Sequence, residues 1–252
     1  MRLQLIRHAT LWLEYRGTNF LVDPMFSAAG QNPPIANSTN DRRNPLVSLP
    51  SIKNDWLDPD AIIVTHVHRD HWDDKAKDAL SKNIPIICQS ADESIFTSAG
   101  FNSVTAIKED AIFMGVTIIR TSGQHGTGDI GKLMGVVSGF VFKGTGEPTI
   151  YIAGDTIWCH DVMQVIDTHK PEIIVVNAGG ARFASGDPIT MDTDDVVNLC
   201  RYAPTASVVA VHMDALNHCL VTRIDLQSIL NSEGLQDQVV IPDDGEWIEN
   251  TR

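Results

Sequence analysis

The sequence has few positive charges, few cysteines and no long apolar run. Its 252 residues include 19 Lys and Arg against 32 Asp and Glu, which gives a net charge of −13. Because phosphate contacts need clustered cations, this balance argues against a nucleic-acid binder. No stretch of about 18 apolar residues occurs, so no membrane-spanning helix or membrane partner is expected. The first residues have charges within every apolar stretch and lack the apolar core of a signal peptide, which favours a cytoplasmic location.

The four cysteines are widely spaced, and none belongs to a CxxC pair. This spacing excludes a zinc ribbon and a dithiol redox motif, and it favours reduced, buried thiols. The composition is otherwise that of a globular protein, with 43% hydrophobic residues. A chain of this length can bury a core without disulfides. We predict one domain over residues 1–252, because no segment has the composition of a linker.

Short apolar runs alternate with helical stretches along most of the chain. Residues 3–15 and 18–24 predict two strands around a turn at Arg16-Gly17. From residue 61 onward, strand-like runs alternate with helix-like segments, which indicates an α/β layered fold. Residues 27–50 are instead rich in Pro, Asn and Ser. Loops of this length in compact domains are often functional lids.

The segment THVHRDH at residues 65–71 places three histidines and one aspartate directly after a buried β-type run. Imidazole and carboxylate together suit Zn, Mn or Fe. His66 and His68 are two residues apart, so their side chains can point the same way at a strand end. Asp70 and His71 fall on the following turn, where they can face a second ion. A metal-free cluster of hydrogen-bonded imidazoles is the alternative, although packing gives no reason for three histidines here.

This HxHxDH pattern resembles the metallo-β-lactamase superfamily. The resemblance implies a four-layer αββα sandwich with a metal site between its two sheets at one edge. It also implies three later ligands at strand ends, and His125, Asp155 and His212 match them in the expected order. The complete implied set of metal ligands is His66, His68, Asp70, His71, His125, Asp155 and His212.

Each of the three later residues makes chemical sense as a ligand. His125 would complete three nitrogens around the first ion, and His212 would complete the shell of the second. Asp155 is short and anionic, which suits a bridge between two cations, although alone it could merely form a turn or cap a helix. Two divalent ions about 3.5–4 Å apart can hold a hydroxide between them at neutral pH. We expect zinc first, with manganese or iron as alternatives.

Within that superfamily the chain is most similar to the ascorbate-6-phosphate lactonase-like branch. The similarity lies in five short segments, at residues 8–10, 22–24, 42–45, 177–180 and 190–191. Relatives in that branch also act on phosphodiesters and lipids, so the resemblance leaves the substrate open.

Several other residues are candidates for roles at the same site. His218 is predicted at the site mouth as an acid or a substrate donor, with a position beyond the site as the alternative. His8 is expected to be structural. Asp23, Thr65 and Thr156 can each hold a ligand histidine through its other ring nitrogen.

The predicted function is that of a metal-dependent hydrolase, in which a metal-bridged hydroxide cleaves an ester, lactone or amide bond of a small polar, sometimes phosphorylated molecule. Asp70 is predicted to move a proton as well as to ligate metal. Arg42 and Arg43 are predicted to bind an anionic substrate group, with a solvated loop pair as the alternative. A phosphodiesterase or nuclease on the same dinuclear site is the alternative function. A non-catalytic protein with the same fold would lack some of these ligand residues, whereas all seven positions here hold residues that can bind metal. The sequence is also compatible with a homo-oligomer.

Overall fold

The computed structural model describes residues 1–51 and 54–248. Its strands are β1 (Arg2–Arg7), β2 (Thr10–Tyr15), β3 (Thr18–Val22), β4 (Ala61–Val64), β5 (Ile86–Gln89), β6 (Val104–Ile107), β7 (Asp110–Phe113), β8 (Val116–Ser122), β9 (Ser138–Lys143), β10 (Ile150–Ile152), β11 (Ile173–Asn177), β12 (Ser207–Val211), β13 (Val239–Val240) and β14 (Trp247–Ile248). Its helices are α1 (Asp74–Ala79), α2 (Glu93–Ser98), α3 (Gly128–Met134), α4 (His160–His169), α5 (Thr193–Tyr202) and α6 (Arg223–Glu233). None of the helices in these ranges is long and apolar enough to cross a membrane.

The strands form two mixed sheets. Their orders are β14-β1-β2-β3-β4-β5-β6 and β13-β12-β11-β10-β9-β8-β7. Strands β3 to β6 are parallel neighbours in the first sheet, and β10 to β13 are parallel neighbours in the second. Parallel strands need crossover connections, and in both sheets helices make most of them.

The apolar pattern of the parallel strands explains how the two sheets pack. On β11, Ile173 and Val175 join the core between the sheets, whereas Ile174 and Val176 join a core on the outer face. A strand that is buried on both faces needs apolar residues at every position, and the run IIVV meets this condition.

The outer cores are closed by helices. Residues of α1 and α2, such as Ala76 and Phe96, pack on the outer face of the first sheet. Residues of α4, α5 and α6, such as Val162, Leu199 and Leu226, pack on the outer face of the second sheet. The order is therefore helices, sheet, sheet, helices, and the predicted four-layer αββα sandwich is confirmed.

The prediction of one strand over residues 3–15 is wrong, because the chain reverses at His8-Ala9. Strand β1 ends at Arg7 and β2 begins at Thr10, with antiparallel pairing between them. His8 has a φ of 62°, in the left-handed region that few non-glycine residues adopt. Both arms are apolar, so the periodicity hides this turn. The second hairpin, at Arg16-Gly17, is as predicted.

The strand directions bring seven strand ends together. In the first sheet β1, β3 and β4 run in the same direction, and in the second sheet β8, β10, β11 and β12 do so. The residues that follow these strands contact each other across the two sheets, as described next. Ligands of open α/β sheets bind at the carboxyl ends of strands, so this shared edge is the expected place for a site.

Candidate metal centre

The structure brings all seven predicted ligands to this shared edge. Together with His8, their donor atoms form three overlapping groups, in each of which the atoms lie within 4.8 Å of one another. The groups are His66, His68 and His125; His8, Asp70, His71 and His212; and His66, His71 and Asp155. The first two groups correspond to the two ion sites that the sequence predicts, and Asp155 lies between them.

Asp155 faces imidazoles of both groups. Its Oδ2 lies 3.2 Å from Nε2 of His71 and 3.5 Å from Nε2 of His125. Its Oδ1 lies 3.4 Å from Nε2 of His212 and accepts a 2.6 Å hydrogen bond from Asn177. This is the position that a ligand shared by two ions needs.

A glycine makes this position of Asp155 accessible. Gly154 has a φ of 69°, and a Cβ there would lie 2.6 Å from the carbonyl oxygen of Ser138. Glycine alone tolerates this combination without strain. The tight turn after β10 therefore depends on it, and the turn aims the carboxylate into the cluster.

Asp23 and Thr65 hold two of the histidines from behind. The Nδ1 of His71 lies 2.8 Å from Oδ2 of Asp23, and the hydroxyl of Thr65 donates to the same oxygen at 2.7 Å. The Thr65 oxygen also lies 3.1 Å from Nδ1 of His66. Such contacts fix the ring orientation and the tautomer, so that Nε2 is free for a metal. The predicted contacts of Asp23 and Thr65 with these histidines are confirmed.

The later histidines are held in a related way. Nδ1 of His125 donates to the carbonyl of Ile189 at 2.7 Å, and Nδ1 of His212 lies 3.5 Å from the Cys219 sulfur. Both rings thus direct Nε2 towards Asp155.

Thr156 does not support a histidine, and that prediction is wrong. Its hydroxyl accepts from the amide of Gln124 and donates to the carbonyl of Ile157, each at 2.9 Å. The side chain therefore stabilises the turn after β10, because the same turn that exposes Asp155 directs Thr156 towards the backbone.

His8, which the sequence reasoning expected to be structural, lies within the cluster. It is fully buried, its Nε2 lies 3.1 Å from Oδ2 of Asp70, and its ring centroid lies 3.7 Å from that of His212. Burial lowers the pKa of His8 to about 3, so the ring is neutral near pH 7. A neutral imidazole can donate its Nε2 proton to the Asp70 carboxylate, which makes His8 a positioning residue for Asp70.

The charges of the cluster fit divalent cations. Burial alone would raise the pKa of Asp70 and Asp155, but the surrounding histidines lower both well below the usual range. Burial alone would lower the pKa of His71, but Asp155, Asp70 and Asp23 raise it well above its usual value. Two ionised carboxylates thus lie buried among imidazoles, and a bound cation would replace the proton on His71.

Unpartnered donor atoms lead to the same conclusion. Among the described residues, Nε2 of His71 and Nε2 of His212 are buried and have no partner in hydrogen-bond geometry, although Asp155 oxygens lie 3.2 and 3.4 Å away. Nε2 of His66 and Nδ1 of His68 lie 3.0 Å apart, which directs both rings to one point. Buried polar groups normally have partners, and metal ions would satisfy these.

A cavity of about 220 Å³ opens onto the cluster. Four predicted ligands line it: His68, Asp70, His125 and Asp155. Four apolar side chains complete most of its wall: Ile35, Met134, Phe183 and Ile189. Ile35 belongs to the loop of residues 27–50, so this loop does reach the site.

Of the residues predicted to act on the substrate, Asp70 and His218 line this cavity. Burial lowers the pKa of His218 to about 4, so its ring is neutral near pH 7. A neutral ring fits the predicted hydrogen-bond donor to the substrate better than the predicted acid.

Arg42 and Arg43 are not brought to the cavity, where the structure places Arg69 instead. Arg42 and Arg43 are exposed, and the Arg43 guanidinium donates to the carbonyls of Gly30 at 2.8 Å and Gln31 at 2.7 Å within its own loop. Their predicted contact with substrate stays a prediction. The sequence reasoning assigned no substrate role to Arg69, because this residue lies between the predicted ligands of the motif.

The comparison with known proteins agrees with this geometry. A model of the beta-lactamase superfamily domain matches residues 18–213. UPF0173 protein YddR of Bacillus subtilis strain 168 is 39% identical over 250 residues, 98% of each chain. The UPF0173 metal-dependent hydrolase TV0864 of Thermoplasma volcanium is 26% identical over 219 residues, 86% of each chain.

Two solved structures are similar over nearly the whole chain. The crystal structure of isothiocyanate hydrolase from Delia radicum gut bacteria is 40% identical, covers 99% of each chain and has a TM-score of 0.95. That of a possible metal-dependent hydrolase from Veillonella parvula DSM 2008 is 35% identical, covers 98% of each chain and also has a TM-score of 0.95.

The fold and the donor cluster define the class of this protein as a metal-dependent hydrolase with the metallo-β-lactamase fold. The chain belongs to the metallo-β-lactamase superfamily and, within it, to the UPF0173 family of metal-dependent hydrolases.

Proposed function

We propose that this protein binds two divalent ions and catalyses the attack of water on an electrophilic carbon of a small molecule, which cleaves a bond to that carbon. The substrate class is an ester, lactone or amide, as the sequence predicts, or an isothiocyanate, as the similar hydrolase suggests. The observation that carries the proposal is the cavity, in which predicted metal ligands and an apolar wall face the same space. Zinc is the first expectation, with manganese or iron as alternatives, because the donors are imidazoles and carboxylates.

In this proposal each of the two groups of donors would hold one ion, and Asp155, which faces imidazoles of both groups, would be available to either ion. The first ion is held by His66, His68 and His125, and the second by Asp70, His71 and His212. When bound, such ions lower the pKa of water and polarise the substrate.

The side chains at the cavity have separate tasks. Asp70 is ionised, lines the cavity and has a 12% exposed side chain, so its carboxylate can accept a proton from attacking water and return it to the leaving group. His8 holds Oδ2 of Asp70 in place. His218 offers a hydrogen bond to the bound substrate from the cavity wall.

The same arrangement serves each proposed substrate. In an ester, lactone or amide, water oxygen adds to the carbonyl carbon and the bond to the leaving oxygen or nitrogen breaks. In an isothiocyanate, water oxygen adds to the central carbon, protons move to nitrogen, and the C–N bond breaks to give an amine and carbonyl sulfide. Both reactions consume one water and need one group that accepts and returns a proton, which is the task assigned to Asp70.

The wall of the cavity argues against the alternative phosphodiester substrate. Among the described lining residues Arg69 is the one Lys or Arg side chain, and the other non-ligand residues are mostly apolar. Phosphate recognition usually relies on several cationic or N–H donors. The similarity of short segments to the ascorbate-6-phosphate lactonase-like branch keeps lactones among the candidates.

A substrate panel tests the proposal. Metal-loaded protein is given benzyl isothiocyanate, a p-nitrophenyl ester, a γ-lactone and bis-p-nitrophenyl phosphate, with Asp155→Ala as the inactive control. We expect one of the carbon electrophiles to be hydrolysed with the highest kcat/KM. Preference for the phosphodiester, or equal rates for wild type and Asp155→Ala, would contradict the proposal.

Four further expectations from the sequence stay predictions. They are a cytoplasmic location, one domain over residues 1–252, a homo-oligomeric state and the absence of nucleic-acid or membrane partners.

Loss of the His8 contact should weaken the site. We expect His8→Asn to lower metal affinity or activity about 10–100-fold, the usual effect of removing a residue that positions a ligand. Asparagine tolerates the left-handed backbone of this position, so the fold is retained. Chelator competition measures the affinity, and His160→Asn on the exposed surface is the control. Unchanged affinity and unchanged kcat/KM would make His8 merely structural.

Arg69 and the Arg42-Arg43 pair can be separated by kinetics. We expect Arg69→Ala to raise KM for a substrate that carries a carboxylate more than for its neutral methyl ester, because this guanidinium lines the cavity. A lost charged hydrogen bond costs about 1.5–3 kcal/mol, or roughly 10–150-fold. The double change Arg42→Ala and Arg43→Ala is expected to alter KM by less than about twofold, since neither side chain lines the cavity. A larger change of KM in the Arg42-Arg43 double variant than in Arg69→Ala would instead support the predicted role of Arg42 and Arg43 in substrate binding.

A further inference from the structure

We propose that a second, apolar cavity beside the metal centre binds the non-reacting group of the substrate and selects a compact, uncharged group of about the size of a benzene ring. The inference rests on the proposed function and adds the class of substituent. The cavity has a volume of about 170 Å³ and lies under the loop of residues 27–50. Its apolar lining comes from Met25, Pro33, Pro34, Ile35, Ala36 and Leu216.

The cavity adjoins the metal centre directly. It shares Ile35, Arg69 and Asp70 with the cavity that contains the predicted ligands. Asp70 is itself a predicted ligand, so a group bound here lies one side chain away from the reacting centre. A substrate can therefore place its electrophilic carbon in one cavity and its apolar substituent in the other.

The volume limits the size of the substituent. An apolar cavity of about 150 Å³ in another protein is known to admit benzene. A cavity of about 170 Å³ accordingly fits one six-membered ring or a short alkyl chain. A fused pair of rings fills more of this space and is expected to bind less tightly than a single ring.

Of the two asparagines in the lining, Asn44 already has hydrogen-bond partners for both ends of its side-chain amide. Nδ2 of Asn44 donates to Oδ1 of Asn217 at 2.8 Å, and Oδ1 of Asn44 accepts from the Asn217 amide at 2.9 Å. The remaining charges, on Arg69 and Asp70, lie on the side shared with the metal centre. Because no other side chain of this lining carries a charge, a charged substituent away from that side would lose hydration without an ion-pair partner.

Hydrogen bonds keep the wall of the cavity in place. Oδ1 of Asn217 also accepts from the amide of Ile35 at 3.0 Å. The backbones of Asn32 and Asn44 pair through two hydrogen bonds of 2.7 and 3.0 Å. On the opposite side, Met25 is 1% exposed and its carbonyl accepts from the buried Arg7 guanidinium at 2.8 Å. The cavity is thus preformed, which reduces the entropy lost on binding.

Binding of unreactive probes tests the cavity apart from turnover. The probes are benzyl alcohol and 2-naphthylmethanol, and their affinities are measured by NMR titration of metal-loaded protein. Ala36→Phe and Leu216→Phe fill the cavity and are each expected to weaken benzyl alcohol binding about tenfold or more. Leu216→Ala enlarges it and is expected to admit 2-naphthylmethanol. Thr39→Phe, on an exposed position of the same loop outside the lining, is the matched control and should bind like wild type.

Turnover provides the second readout. For whichever electrophile the protein hydrolyses, the ratio of kcat/KM for the benzyl over the methyl compound should fall in both filling variants and stay constant in Thr39→Phe. Two filling variants are made so that a folding defect in one, visible by circular dichroism, leaves the other informative.

The outcomes separate this inference from the proposed function. Equal benzyl alcohol binding by wild type and both folded filling variants, or an unchanged benzyl-to-methyl ratio, would overturn the inference and leave the hydrolase proposal standing. Binding that the filling variants abolish, without hydrolysis of any electrophile in the panel, would support the cavity as a binding site and overturn the proposed function instead.

Discussion

Asp70→Asn is expected to lower kcat/KM by about 10²–10⁴-fold while leaving the fold intact, the usual effect of losing a group that transfers a proton. Asp70 lines both cavities, and the surrounding imidazoles keep it ionised. An amide retains the size of the side chain, but it cannot accept a proton as a carboxylate does and it coordinates metal more weakly. The measurement is kcat/KM at saturating metal, together with metal content.

The control for this substitution is Asp78→Asn, an equivalent change on an exposed position after the motif. It should leave both activity and metal content unchanged. Wild-type activity of Asp70→Asn at full metal occupancy would remove Asp70 from the chemistry. A variant that loses metal as well as activity would assign Asp70 to metal binding, and proton transfer would then need another residue.

Two equivalents of metal per chain are expected in protein purified without chelator, and their removal should lower the melting temperature by about 10 °C or more. Each site stabilises the folded chain by about 2.7 kcal/mol when free metal exceeds its Kd a hundredfold. In a chain of this size each kcal/mol shifts the melting temperature by about 2–4 °C. The physical cause is the charge of the buried carboxylates Asp70 and Asp155, which the ions neutralise.

Single substitutions divide this effect between the two sites. His125→Ala and His212→Ala each remove one donor from a different group, so each is expected to retain about one equivalent under limiting metal. His160 is exposed, so His160→Ala should retain two equivalents of metal. Elemental analysis and calorimetry check both quantities. Zero or one equivalent in carefully reconstituted wild type would contradict the dinuclear proposal.

Several features of this protein could be predicted from the sequence because their causes are local. The alternation of β-branched runs and helical segments indicates the layers, since strands buried on both faces need apolar residues throughout. The segment at residues 65–71 indicates the ligands, since its donors are close together whatever the rest of the chain does. The later predicted ligands His125, Asp155 and His212 follow apolar runs, and in parallel strands such ends meet at one edge.

Other features depend on contacts between residues that are distant in the sequence. His8 contacts Asp70 because the chain turns back after β1, a left-handed turn between two apolar strands that no periodicity marks. Arg43 is turned away from the site because carbonyls of its own loop accept its hydrogen bonds. The sequence could name the guanidinium groups, but only the path of the loop decides which of them reaches the cavity.

The predictable features differ from the others in how many distant residues determine them. Ligand identity and strand burial are properties of single residues and their neighbours, so the sequence by itself determined the metal-binding chemistry and the layered fold. The apolar cavity is enclosed by Met25, Ile35 and Leu216, three residues that meet only when the loop packs against the segment after β12. Shape and volume arise from such packing, and so the tertiary structure alone decided the cavity from which we infer the substituent.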